Sequence, residues 1–205
     1  MKKLGISTLL ALTLSATALT FSTTAGAVSS NKFTSTFTTI SAPIKVNVTL
    51  SEDMVYRADH LSKNLRDRSS GLHSANDGWT GAGNYGQKDL DRLTERLKRR
   101  MEIQLTKQGF TVSEEATNTL SLVLVDARPN RPTFKQMSQA NLSMRSFAIG
   151  GAKFEGTLTQ DGQDQGMVSY GWYETDITDA QYGSTWSDAN RAIDRFARKV
   201  AKSVK

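Results

Sequence analysis

The chain has 205 residues, a formal net charge of +6, no cysteine and two histidines. The absence of cysteine excludes disulfide bonds, thiol catalysis, thiolate metal sites and lipid attachment at a cysteine. Having only His60 and His73 argues against an imidazole-rich metal site, so no metal or cofactor is predicted. The positive charge is also too small for a dedicated nucleic-acid-binding protein.

The N-terminus has the order of parts of a secretory signal peptide. Lys2 and Lys3 precede the uncharged segment 4–19, and Ala25-Gly26-Ala27 offers a small-residue cleavage site. Cleavage after residue 27 leaves 178 residues with a net charge of +4, since the removed part holds two lysines and no acid. The product is predicted to be periplasmic, with secretion as the alternative. Serine and threonine dilute the segment, which disfavours a retained anchor, and no later segment is predicted to span a membrane.

Residues 28–43 are rich in serine and threonine, which predicts a flexible arm or an extended edge. Phe33 and Phe37 are the residues that would attach this arm to the domain. A single domain is predicted over 44–205. It opens with apolar residues at every second position from Ile44 to Leu50, the pattern of a half-buried strand. Ser51 then stands at a helix N-cap, and helical spacing predicts a helix over 52–66.

The segment 69–86 holds five glycines and is predicted to be a long surface loop. It places polar groups beside flat aromatic rings, a combination that sugar and peptide sites use. The candidate binding residues are Asn76, Asp77, Trp79, Asn84 and Tyr85. The alternative is a solvated insertion whose aromatic side chains pack back on the domain. The glycine spacing at 81–86 matches a dinucleotide fingerprint, but no strand precedes it, so that interpretation is rejected.

The best-defined helix follows this loop. Its apolar positions recur every three or four residues, at Leu90, Leu93, Leu97, Met101 and Leu105. Asp89 is the predicted N-cap and Gly109 the C-terminal stop. Phe110 and Val112 then predict a short strand.

The segment Leu120–Val125 is the longest apolar run after the N-terminus. Leucines occupy one side of an extended chain and valines the other, so we predict the central strand of a sheet, covered on both sides. Pro129 and Pro132 end it. Strand patterning resumes from Met144 to Thr159.

Asp161-Gly162 predicts a hairpin turn, and the return strand places Val168, Tyr170 and Trp172 on one face. The last helix, capped by Thr185 or Ser187, has an apolar stripe at Trp186, Ala189, Ile193, Phe196, Val200 and Val204. This order of elements predicts an α+β two-layer domain, in which helices pack on a mixed sheet of about five strands.

The segment 184–189, Ser-Thr-Trp-Ser-Asp-Ala, followed by Ala192, Phe196 and Ala197, resembles the closing helix of uncharacterised families of small bacterial periplasmic or outer-membrane lipoproteins. The resemblance extends in element order over about 46–204. It implies an α/β fold like the amino-terminal domain of TolB-type periplasmic proteins, and it implies no catalytic residues. This chain departs from the lipoprotein pattern because it lacks the cysteine that would be acylated.

A basic stripe runs along the last helix, at Arg191, Arg195, Arg198 and Lys202. These residues are candidates for binding lipid phosphates, lipopolysaccharide or an acidic partner. The alternative is a solvated face balanced by Asp188 and Asp194.

Candidates for catalysis are few. No serine has the setting of a nucleophile elbow, and Asp161 and Asp164 stand in a hairpin turn, where acids are common for backbone reasons. We therefore predict a non-catalytic exported protein that binds another component of the envelope, and a protein is the preferred class of partner. The alternatives are an anionic lipid or glycan bound through the C-terminal helix, and a hydrolase that uses acids near the glycine-rich loop.

Overall fold

The computed structural model describes residues 32–39, 43–59, 87–132, 141, 143, 146–179 and 184–204. The strands in this part of the chain are β1 (Phe33–Ser35), β2 (Ile44–Leu50), β3 (Asn118–Arg128), β4 (Gly151–Gln160) and β5 (Gln163–Tyr173). The helices are α1 (Glu52–Asp59), α2 (Gln87–Lys107) and α3 (Ser187–Ser203). The remainder of the helix predicted over 52–66, the loop at 69–86 and the predicted signal peptide lie outside the described residues.

The five strands form one mixed sheet in the order β1-β5-β4-β3-β2. The β2–β3 pair is parallel and the other pairs are antiparallel. This confirms the predicted α+β class with a mixed sheet. The middle strand is β4, however, and not the Leu120–Val125 segment of β3. The prediction was wrong because it did not include β1, which the arm adds beyond β5.

The two faces of β3 differ in burial. Leu120, Leu122 and Leu124 are at most 1% exposed, whereas Val123 and Val125 are half-buried. The predicted cover on both faces is therefore complete on the leucine face and partial on the valine face. Polar neighbours account for the difference, since Val123 pairs across the sheet with Thr49 on one side and Glu155 on the other.

Helices α2 and α3 pack side by side on the leucine face, α2 over β2 and α3 over β4 and β5. The five predicted apolar residues of α2 and the six of α3 are all buried, so both stripes are confirmed. None of the helices in the described segments is long and apolar enough to cross a membrane.

Three aromatic rings stack at the centre of this core. Phe154 lies 4.6 Å from Phe196 of α3 with the planes 6° apart, and Tyr170 lies 6.0 Å from Phe196 with the planes 4° apart. Phe33 of β1 meets Tyr170 edge-on at 6.1 Å. The stack joins α3 to β4 and β5, and Phe33 attaches the arm to the same cluster, as predicted.

The hairpin turn between β4 and β5 is confirmed. Asp161 and Gly162 both have positive φ, 48° and 80°, which a two-residue turn of this hand requires. The strand before the turn starts at Gly151 rather than near Met144. Phe110 and Val112 form no strand, because Val112 makes a single bridge to Ile44.

Two predicted N-caps are corrected. Helix α2 begins at Gln87, which places Asp89 inside its first turn, where its charge favours the helix dipole. Helix α3 follows Trp186 at the N-cap position and has no side-chain cap from Thr185 or Ser187. Ser51, by contrast, caps α1 as predicted, because its Oγ accepts the Met54 N–H at 3.3 Å.

Candidate functional site

The predicted binding residues fall into two groups. Asn76, Asp77, Trp79, Asn84 and Tyr85 lie outside the described residues. The four basic residues of α3 are described, and they divide into a packed pair and an exposed pair. Arg191 and Arg195 are half-buried, whereas Arg198 and Lys202 are exposed.

The packed pair stands over an aromatic ring of β5. The guanidinium carbons of Arg191 and Arg195 lie 5.1 and 4.7 Å from the centre of the Trp172 ring. Arg191 also binds Glu174 at 3.2 Å. Burial raises the pKa of Tyr170, and the neighbouring Arg195 guanidinium opposes that rise. These contacts use the two arginines to hold α3 on the sheet.

Lys199 lies next to the exposed pair on α3 and is itself exposed, with its ammonium 5.4 Å from the Phe33 ring. Asp194 does not neutralise the basic stripe of α3, the alternative that the sequence left open. It binds Arg100 and Arg96 of α2 instead, at 2.7 and 3.2 Å.

The two helices together carry an excess of positive charge. Helix α2 has seven basic and four acidic residues, and α3 has five basic and two acidic residues. The net charge of +6 on these two helices exceeds the +4 predicted for the whole exported chain, so the positive charge is concentrated on the helix layer.

Asp188, the other predicted balancing acid, is fully buried in a polar cluster. Its Oδ2 accepts the Asn130 Nδ2–H and, at 3.1 Å, the Gly150 N–H. In return the Asn130 Oδ1 accepts the Asp188 N–H at 2.8 Å. A Cβ on Gly150 would come within 2.7 Å of Asn130 Oδ1, so the glycine permits the approach. Asn130 therefore caps α3 from the loop after β3, and the cluster is structural.

A second polar cluster lies where β3 ends. A register shift between Leu124 and Asp126 turns Asp126 onto the face opposite the helices, where it pairs with Lys153. The Tyr173 hydroxyl donates to Asp126 Oδ2 at 2.8 Å, and Arg128 stacks on the Tyr173 ring at 4.3 Å. Arg128 Nε lies 3.5 Å from Asp126 Oδ2, so the three side chains form one cluster at the end of β3.

The acids of the hairpin turn have the backbone role that the sequence suggested. The Asp164 Oδ1 accepts the Gly166 N–H at 2.7 Å, and Asp161 is fully in the turn. Within the described ranges, no three acids or histidines are grouped as metal ligands.

The outer edge of β2 is a candidate site that the sequence did not predict. Ile44 donates its N–H to the Thr111 carbonyl at 2.9 Å and accepts the Ser113 N–H at 3.1 Å, both on the side away from β3. The Ser51 N–H bonds to the Leu124 carbonyl of β3. Alternate residues of a parallel strand bond to the same side, so the even-numbered residues of β2 direct their backbone groups outward.

Val46, Val48 and Leu50 thus present three N–H and three C=O groups away from β3. In the described part of the chain nothing pairs with them. The same strand has one charge, Lys45, and no proline, the two devices that usually protect sheet edges. That scarcity of protection is the signal in the sequence that would have identified the edge.

Comparison with known proteins adds little. No family model matches the chain, and no curated protein matches it. Among solved structures, a minor lipoprotein from Acinetobacter baumannii is similar to this chain with 11% sequence identity and a TM-score of 0.33. The match covers 78% of this chain and 91% of the lipoprotein.

Proposed function

We propose that this chain is a non-catalytic exported protein of the cell envelope and that it binds an extended segment of a partner protein along β2. The N-terminal sequence supports export. The outward backbone groups of Val46, Val48 and Leu50, which no described segment of the chain pairs with, carry the proposal for the partner. Only another extended backbone supplies donors and acceptors at matching intervals.

The position of α2 selects the kind of partner. This helix packs directly over β2. A neighbouring strand adds only about 4.8 Å, whereas packed helices need roughly 8–10 Å between their axes. A second copy of this chain, paired edge to edge, would bring its own α2 too close. With respect to the described residues, a single strand without a helix above it has room.

The charged side chains beside the β2 edge form two ion pairs that share Glu114. Glu114 binds Lys98 of α2 at 2.6 Å and Lys45 of β2 at 3.4 Å. The hydrogen bond from Lys98 lowers the pKa of the Glu114 carboxyl below its ordinary value. Glu114 offsets one of these two lysines, so the two ion pairs leave a single positive charge beside the edge.

We predict that Val48→Pro weakens partner binding about tenfold or more without unfolding the protein. The Val48 N–H points outward, so proline removes no bond to β3 but removes a donor for the added strand. Losing one such bond at an interface costs about 1–3 kcal/mol, or about 5- to 150-fold in affinity. The measurement is crosslinking in the intact envelope from a photoreactive residue at Asn47, which is exposed on β2.

Val48→Ala is the matched control, because it loses the same side chain and keeps the N–H. The same photoreactive residue placed at Thr157, on β4, measures nonspecific crosslinking away from the β2 edge. We expect a product from position 47 that falls about tenfold or more with proline and less than twofold with alanine. Equal products with proline and alanine, or no product specific to position 47, would contradict the proposal.

A second candidate function is binding of an anionic lipid or glycan by the helix layer. The observation that favours it is the concentration of positive charge on α2 and α3, together with the exposed Arg198, Lys199 and Lys202. Basic side chains near a membrane surface contribute about 1 kcal/mol each at low salt.

We predict that Arg198→Glu weakens binding to vesicles containing anionic phospholipid about fivefold or more at low salt, since it reverses one exposed charge. Lys153→Glu is the control, because it changes the net charge equally on the opposite face of the sheet. The measurement is vesicle co-sedimentation at two salt concentrations. Identical losses in the two variants, or binding insensitive to salt, would remove this candidate.

A further inference from the structure

The hydroxyl group of Tyr170 on β5 lies among cations of α3. The Tyr170 side chain is only 1% exposed. Burial raises the pKa of Tyr170, while the charges of Arg195 and Arg198 lower it, so both guanidinium groups lie near the phenol oxygen. A guanidinium group only donates hydrogen bonds, so this oxygen can accept one from Arg195, but the phenol proton finds no acceptor there.

The phenol proton also has no acceptor elsewhere in the described part of the chain. No described residue accepts a hydrogen bond from the Tyr170 O–H. A buried donor without an acceptor is costly and uncommon in folded proteins. The structure therefore places a buried donor, with cations beside it, where the described residues supply no acceptor oxygen.

Arg195 belongs to a row of cations on α3, which we call the cation row. Its members are spaced three or four residues apart, which places them on one side of the helix: Arg195, Arg198, Lys199 and Lys202. None of them forms an ion pair with a described acid, since Glu174 and Asp188 bind Arg191 instead. The Lys199 ammonium lies 5.8 Å from the centre of the Tyr170 ring. Like charges at this spacing destabilise a helix, and an anion bound beside them would relieve the repulsion.

The basic residues at the centre of α2 are arranged differently. Arg96 and Arg100 share the carboxylate of Asp194, and Lys98 binds Glu114. Acids of the same chain hold these three cations, whereas the cation row has no such partner among the described residues. An external anion is therefore expected at the cation row rather than at the centre of α2.

We infer that a phosphate monoester binds beside the Tyr170 hydroxyl, held by Arg195, Arg198 and Lys199. The inference rests on the second candidate function, binding of an anionic ligand by the helix layer, and names the group that is bound. A phosphate monoester has three terminal oxygens and a charge of about −1.5 to −2, so one oxygen accepts the phenol O–H while the others bind the guanidinium groups. A carboxylate has only two oxygens for these donors. Arg198 and Lys199 are exposed, so the ligand reaches them from solvent.

Tyr170→Phe tests the inference, because it removes the hydroxyl and keeps the ring that stacks on Phe196. We expect this variant to bind vesicles containing phosphatidic acid about tenfold or more weakly than the unchanged protein, because a hydrogen bond to a charged group is lost. Vesicles in which oleate replaces phosphatidic acid at equal surface charge present carboxylates, and the two proteins are expected to bind these vesicles equally. Vesicle co-sedimentation measures both affinities.

Tyr173→Phe is the matched control, because its hydroxyl donates to Asp126 on the opposite face of the sheet. Its affinity for the phosphatidic acid vesicles should stay within about twofold of that of the unchanged protein. Inorganic phosphate at constant ionic strength distinguishes the sources of the bound group. Displacement of the protein from the vesicles shows that a soluble phosphate suffices, and no displacement shows that the lipid headgroup is the ligand.

The inference and the second candidate function fail in different ways. Equal binding of phosphatidic acid vesicles by Tyr170→Phe and the unchanged protein would overturn the inference and leave the second candidate function in place. The same loss on both kinds of vesicle would have that meaning too. Binding of neither kind of vesicle by the unchanged protein would overturn both.

Discussion

Replacing Asp188 with alanine is expected to lower the free energy of unfolding by about 3 kcal/mol or more. The carboxyl group is completely buried and accepts hydrogen bonds from Asn130 and from the Gly150 N–H. Without it, two buried donors lose their acceptor, and each costs about 1–3 kcal/mol. In thermal unfolding the midpoint should fall by about 6–12 °C for a domain of this size.

Asp194→Ala is the matched control for that experiment. Asp194 lies on the same helix and binds two arginines, but its side chain is 28% exposed. Ion pairs in such positions contribute about 1 kcal/mol or less. If the two alanine variants unfold at the same temperature, the cluster around Asn130 does not hold α3 as described.

Phe196→Ala should cost about 3–5 kcal/mol, the range for removing a buried aromatic side chain. Phe196 is fully buried, and its ring stacks against both Phe154 and Tyr170. Its removal leaves a cavity between α3 and the sheet, so exchange of the α3 backbone amides should accelerate as well. Urea unfolding with hydrogen exchange measures both effects.

Phe196→Leu serves as the control, because it retains much of the volume and loses only the ring stacking. A loss of about 1.5 kcal/mol or less is expected for this swap. Equal losses for leucine and alanine would show that ring stacking, rather than volume, stabilises the packing of α3.

Much of the architecture follows from sequence alone. The two-residue period of Ile44–Leu50 and the helical period of Leu90–Leu105 and Trp186–Val204 are direct consequences of backbone geometry. The Asp161-Gly162 turn and the Gly109 stop, with φ of +93°, are likewise local, because each depends on which residues tolerate positive φ. From these features alone, the α+β class and the buried stripes of α2 and α3 could be predicted correctly.

Only the tertiary structure decided which strand stands in the middle, what caps α3 and which strand edge no other described segment pairs with. Each of these depends on residues distant in sequence: β1 with β5, Asn130 with Asp188, and Ile44 with Val112. A local pattern specifies what a segment prefers to form, but not which neighbour arrives beside it. The candidate site at β2 also depends on the tertiary structure, since it is defined by which of the described segments lie beside that strand and which do not.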